Sequence, residues 1–129
     1  VAPAAEGGVF ETHDGGDTWM RRDTGPYRYV RESCHRGRLY TAGNRTAPPW
    51  TPSDAALFVG RDGDLEPVAY PGKPTAFVIS WASVGDRLLA GTSDGRILAG
   101  RNDSWREVAS VPVDEDDQQA FGVRSLAVV

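Results

Sequence analysis

The chain has little that points to chemistry. One cysteine among 129 residues rules out an internal disulfide. That residue, Cys34, falls in a strand-like stretch and is expected to be a plain core thiol. No apolar run approaches the ~20 residues a membrane helix needs. The opening stretch, Val1-Ala2-Pro3-Ala4-Ala5, has neither a basic start nor an apolar run, so no signal peptide is expected there, and the compartment stays open. A basic surplus is also missing. The net charge of −4 argues against nucleic acid as a partner, because phosphate binding needs a basic surface. His13 and His35 lie in expected turns with no second His or Cys at metal spacing, so no metal site is expected. G-x-S-x-G, a phosphate-binding loop and a dinucleotide fingerprint are all missing, and no cofactor is indicated. Sustained i, i+3, i+4, i+7 apolar spacing is absent too, which excludes long amphipathic helices.

What remains is a succession of short β-rich runs bounded by Gly, Asp and Asn, the pattern of an all-β fold. The runs repeat. Val9-Phe10-Glu11-Thr12-His13-Asp14-Gly15, Leu57-Phe58-Val59-Gly60-Arg61-Asp62-Gly63 and Ile97-Leu98-Ala99-Gly100-Arg101-Asn102-Asp103 share two apolar residues followed by a turn. They recur every ~40–50 residues, the length of a four-stranded unit. Upstream of the later two, Arg38-Leu39-Tyr40-Thr41-Ala42-Gly43 matches Arg87-Leu88-Leu89-Ala90-Gly91-Thr92. Before those come 29–34 and 77–82, and a third such run closes the chain at 121–128.

The sharpest motif is Thr12-His13-Asp14-Gly15-Gly16-Asp17-Thr18-Trp19. Asp14 can accept hydrogen bonds from turn amides. Gly15 and Gly16 supply positive φ without a steric cost. Trp19 is expected to fold back over the hairpin and bury its ring while its N–H finds a partner. The octet resembles the Asp-box of BNR-type repeats, Ser/Thr-x-Asp-x-Gly-x-x-Trp, with Thr12, Asp14, Gly16 and Trp19 at the four defining positions. In that family the box is a folding device of β-propeller blades, not a catalytic site. The later two copies are decayed: Asp62-Gly63 keeps the turn without the Trp, and Trp105 keeps the ring without Asp-x-Gly.

The resemblance implies four-stranded antiparallel blades, with strands A to D running outward from an axis. Residues 1–129 then form a single partial propeller: strands C and D over 8–23, full blades over 27–70 and 75–111, and a strand A over 120–129. This falls short of the ~4 blades of a closed ring. The expectation is that the rest of a longer chain, or other copies, close it; a small barrel or sandwich is the alternative.

In propellers of this kind, ligands sit on the face carrying the D–A and B–C connections. The resemblance therefore directs attention to Tyr27 in a D–A connection and to Arg45 and Trp50 in the long, proline-stiffened B–C connection 44–54. Arg31 and Arg124 take the same register on innermost strands. Paired arginines suit a carboxylate or sulfate through bidentate bonds. Glu32 should point to the opposite face from Arg31. The acidic run in 112–119 reads as a solvated surface. The resulting expectation is a non-catalytic module binding a protein or glycan partner. A fragment of a sialidase-like glycoside hydrolase and an assembly-factor propeller are the alternatives. Neither an Arg-Ile-Pro near the start nor a Tyr/Glu nucleophile pair supports catalysis.

Overall fold

The computed structural model describes residues 2–3, 7–45, 54–113 and 122–129. Among them every regular element is a strand, and no helix is long and apolar enough to cross a membrane. Three antiparallel sheets follow one another. The N-terminal sheet has β1 (Ala2–Pro3), β2 (Val9–Glu11) and β3 (Met20–Arg22). The middle sheet has β4 (Tyr29–His35), β5 (Arg38–Asn44), β6 (Ala55–Arg61) and β7 (Asp64–Val68). The C-terminal sheet has β8 (Val78–Val84), β9 (Arg87–Thr92), β10 (Arg96–Arg101) and β11 (Ser104–Ser110). In each sheet, strands adjacent in sequence are adjacent in space.

Local turn chemistry explains this simple order. The pairs His35–Arg38 and Arg61–Asp64 each close a two-residue hairpin. Asp62 and Gly63 both take positive φ (47° and 93°), as do Arg36 and Gly37 (50° and 73°). That pattern matches the right-handed twist of the flanking strands and favours immediate antiparallel return.

The sheets pack face to face. Residues alternate between faces along each strand, so Tyr40 and Ala42 on β5 share one side with their partners Val59 and Leu57 on β6. That side meets Val78, Leu88, Ala90 and Leu98 of the C-terminal sheet. The opposite side presents Val30, Leu39 and Leu65 to Val9 of the N-terminal sheet. The middle sheet is therefore covered on both faces. This is why β5 is buried from Leu39 to Asn44 and reads as a continuous run rather than an alternation. Of the buried polar side chains in these strands, Thr41 Oγ1 donates to the Arg31 carbonyl at 3.1 Å, while His35 Nε2 has no hydrogen-bond partner among the described residues.

Several expectations need correction. β1 adds a third strand beside β2, pairing Ala2 with Phe10 and Pro3 with Val9. A two-residue strand containing a proline carries no legible strand pattern. The strand expected over 120–129 is not formed among residues 122–129. Among the described residues no strand pairs with that segment; it is held through Val123, whose N–H donates to the Thr92 carbonyl at 3.0 Å and whose carbonyl accepts from Ser80 Oγ at 2.7 Å. Cys34 is exposed rather than in the core. It lies on the side of β4 that faces the N-terminal sheet, where β1 is too short to cover it.

Candidate functional site

The stack has two unlike ends. One carries the hairpin turns, including Thr12–Trp19. The other carries the connections between β3 and β4, β5 and β6, β7 and β8, and β9 and β10.

At the hairpin end, the Thr12–Trp19 turn spends its polar groups on itself. Thr12 Oγ1 donates to Asp14 Oδ1 at 2.9 Å and accepts from the Gly16 N–H at 2.9 Å. Asp14 Oδ1 also accepts from the Thr18 N–H at 2.9 Å, and Oδ2 accepts from the Thr18 hydroxyl. The Thr18 hydroxyl and amide, with Thr12, hold the Asp14 carboxyl down at about 2. Gly15 and Gly16 take φ of 76° and 103°. Trp19 Nε1 donates to the Gly16 carbonyl at 3.0 Å. With its donors supplied from the same loop, Asp14 has the geometry of a turn clamp.

The Trp19 ring, however, is 50% exposed and not buried as expected. Its counterpart shows why. Trp105 makes the same clasp, Nε1 to the Asn102 carbonyl at 3.0 Å, although Asp-x-Gly is missing there. Its ring meets Tyr40 and Trp81 edge-on at 6.0 and 6.1 Å between centroids. Trp105 has the middle sheet to lie on. Trp19 faces away from the middle sheet, and its ring is left half exposed.

A cleft of about 470 Å³ opens at this end between the first two sheets, lined by Glu11, Arg22, Arg38, Arg61, Asp62 and Gly63 among others. Its arginines are already engaged within the protein. Arg22 Nε meets Glu11 at 2.9 Å and its Nη1 donates to the Gly63 carbonyl. Arg38 Nη1 donates to Asn102 Oδ1 at 2.9 Å, and Arg61 lies 3.3 Å from Glu66 and 3.4 Å from Asp103. The contacts of Arg22 with Gly63, Arg38 with Asn102 and Arg61 with Asp103 tie adjacent sheets together. His35 adds another, its Nδ1 lying 3.0 Å from Ser83 Oγ across the seam. Among the described residues no three His, Cys, Asp or Glu side chains are grouped to hold a metal ion.

The loop end has a different chemistry: arginines over aromatic rings. Arg31 sits 5.4 Å from the Phe77 ring, Arg45 5.6 Å from Tyr27, and Arg96 5.7 Å from Tyr70. Such pairing orients a guanidinium without neutralising it. Tyr27 is fixed by an edge contact with Phe58 at 5.6 Å and by the bare Gly43 beneath it, where a Cβ would come within 2.6 Å of the Tyr27 Cβ. Arg45 also meets Asp54 at 3.1 Å.

Arg31 pairs across from Ala42 and so faces the C-terminal sheet, while Glu32 pairs with Thr41 and takes the other face. Arg31 Nη1 donates to the Val30 carbonyl at 3.0 Å, and the residue is exposed. Burial pushes the Glu32 carboxyl above its ordinary range, opposed by a backbone hydrogen bond and by the Arg31 charge. Arg124 is exposed at the same end, but it stands on a segment without strand structure, so the shared strand register with Arg31 is not realised. Trp50 lies outside the described residues, as does the acidic run from 114 onward.

Sequence reasoning missed Arg96, which is the most fully tied cation at this end. Its Nε meets Asp94 at 2.9 Å, and its Nη1 and Nη2 donate to the Pro71 and Lys73 carbonyls at 2.8 and 3.0 Å. It rivets the β7–β8 connection to β10. Tyr70 beneath it donates to the Ala76 carbonyl at 2.6 Å, and burial pushes its phenol up. The partners are remote in sequence, so only the position of Arg96 after the Asp94-Gly95 turn gave any signal. No protein-family model, curated protein or solved structure matches the chain.

Proposed function

We propose that this chain is a non-catalytic β-propeller module of the BNR/Asp-box type, binding a protein or glycan partner through its loop end. Two four-stranded sheets with sequential strand order, stacked face to face, support the architecture. So does the self-contained Thr12–Trp19 turn, whose carboxylate is consumed in folding.

The observation that carries the binding reading is the state of Arg31. Its guanidinium is exposed, oriented by the Phe77 ring at 5.4 Å and anchored through one nitrogen to the Val30 carbonyl. No carboxylate among the described residues forms an ion pair with it. A pre-oriented arginine retains N–H donors for a carboxylate or sulfate on a partner. Arg45 over Tyr27 stands at the same end.

Binding to an array of acidic glycans and capture of protein partners test this, with Arg31→Ala and Arg45→Ala beside the parent. The expected result is weakened retention with an unchanged unfolding midpoint. Retention unchanged in both variants removes the site. Hydrolysis of a fluorogenic sialoside by the parent chain would instead move the reading to a sialidase-like glycoside hydrolase, whose chemistry needs two carboxyls facing each other at ~5–10 Å.

A further inference from the structure

Arg31 and Glu32 are neighbours in the chain with opposite surroundings. Arg31 faces the C-terminal sheet, exposed over the Phe77 ring, with Nη1 on the Val30 carbonyl. Glu32 turns toward the N-terminal sheet, and its Oε2 is buried with no hydrogen-bond partner among the described residues. A buried carboxylate short of donors depends on the charges close to it, because water screens them poorly there. Against its burial stand a backbone hydrogen bond, the Arg31 guanidinium and the chain's terminal amine, in that order. Arg31 is thus the side chain whose charge supports the ionised form.

The elements packed around Glu32 bring few other charges. β5 places the neutral Thr41 directly opposite, and β1 has no titratable side chain. On β4 itself, Cys34 shares the face of Glu32. The inner face of β2 and β3 holds Glu11 and Arg22, bonded to each other at 2.9 Å at the hairpin end. β8 packs on the other face of β4, where His35 meets Ser83.

An anion seated on Arg31 changes this balance. Its charge offsets the guanidinium that supports the carboxylate, and ionised Glu32 repels it in turn. Neutral Glu32 does not. Such linkage is reciprocal: a proton on Glu32 strengthens the hold on the anion by the same factor by which the anion strengthens the hold on the proton.

We propose that anion binding at Arg31 is proton-linked through Glu32, tight when this carboxyl is neutral and weak when it is ionised. The proposal rests on the reading of Arg31 as the binding site. It makes the loop end a site that takes up its acidic partner more firmly in a mildly acidic medium.

Inorganic sulfate is the probe, since it keeps its charge while Glu32 titrates. Calorimetric titrations of the parent, Glu32→Gln and Arg31→Ala run from pH about 7.5 down to about 5, across the range open to a carboxyl raised by burial. The parent's affinity should rise about threefold or more toward acid, the size expected for charges on adjacent residues under partial screening. Glu32→Gln, permanently neutral, should bind at every pH as tightly as the parent does in acid. Arg31→Ala should lose most of the binding. Arg31-dependent binding that does not change with pH overturns the linkage and leaves the Arg31 site standing. So does a Glu32→Gln variant that keeps the parent's pH dependence. Sulfate binding that is absent from the parent, or unchanged in Arg31→Ala, overturns the site and the linkage together. If Glu32→Gln does not fold, the Glu32 carboxyl carbon resonance of the parent decides. Saturating sulfate should move its titration to higher pH by the same factor, and an unmoved midpoint overturns the proposal.

Discussion

Trp105 crosses from the C-terminal sheet to meet Tyr40 of the middle sheet, the two rings standing 6.0 Å apart at 68°. The same side chain position in the N-terminal sheet holds Trp19, which reaches no such partner among the described residues. The contrast separates the two jobs of a turn tryptophan: clasping its own hairpin and cementing adjacent sheets.

Trp105→Ala removes both. It should destabilise the fold by about 3–5 kcal/mol, the range for a large aromatic lost from a core. Trp19→Ala removes only the clasp and a half-exposed ring, and should cost about 1 kcal/mol, near the net worth of one hydrogen bond. Urea unfolding of the two variants measures the difference. Equal losses would mean that Trp19 is covered in solution.

The Asp14 carboxyl titrates at about 2 rather than at the ordinary 3.8, held down first by the Thr18 hydroxyl. A carboxyl that titrates lower folded than unfolded stabilises fully above the unfolded value. Its contribution is lost as the pH falls from about 3.8 through about 2. The Thr18 amide resonance should follow that titration. Asp14→Asn should abolish it while leaving the strands of the middle sheet undisturbed.

Glu32 behaves in the opposite sense. Burial raises its carboxyl above the ordinary 4.5, and its Oε2 has no hydrogen-bond partner among the described residues. Stability tied to this group is complete below 4.5 and declines as the pH rises through the raised folded value. Glu32→Gln should therefore raise the urea midpoint at neutral pH and leave it nearly unchanged in acid. A lower midpoint at neutral pH would show that the ionised carboxylate makes a favourable contact.

The hairpins were legible because Asp, Asn and Gly announce them locally. Asp62-Gly63 and the Thr12–Trp19 octet each specify their own turn without help from distant residues. The doubly covered strands were legible for a similar reason, since Leu57-Phe58-Val59 is apolar on both sides. Whether a ring is buried is a different kind of fact. Trp19 and Trp105 have the same local grammar, and only the sheet that lies on each distinguishes them. Cys34 belongs to the same class: its strand was legible, its cover was not. At the loop end, Tyr27 and Arg45 were reached through the expected order of connections, and Arg31 through its register on an innermost strand. Arg31 over Phe77 and Arg96 over Tyr70 join residues far apart in the chain, and no spacing encodes such a contact. A two-residue strand such as β1 carries too few side chains to announce itself.

A double-mutant cycle on Tyr40 and Trp105 tests the stacking of one sheet's ring on its neighbour most directly. Unfolding free energies of Tyr40→Ala, Trp105→Ala and the double variant yield the coupling between them. Contact across the seam, together with the 3.1 Å bond from the Asn102 N–H to the Tyr40 hydroxyl, predicts a coupling of about 1 kcal/mol or more. Losses that add to within about 0.3–0.5 kcal/mol would mean that the two residues do not meet, and the stack described above would be wrong.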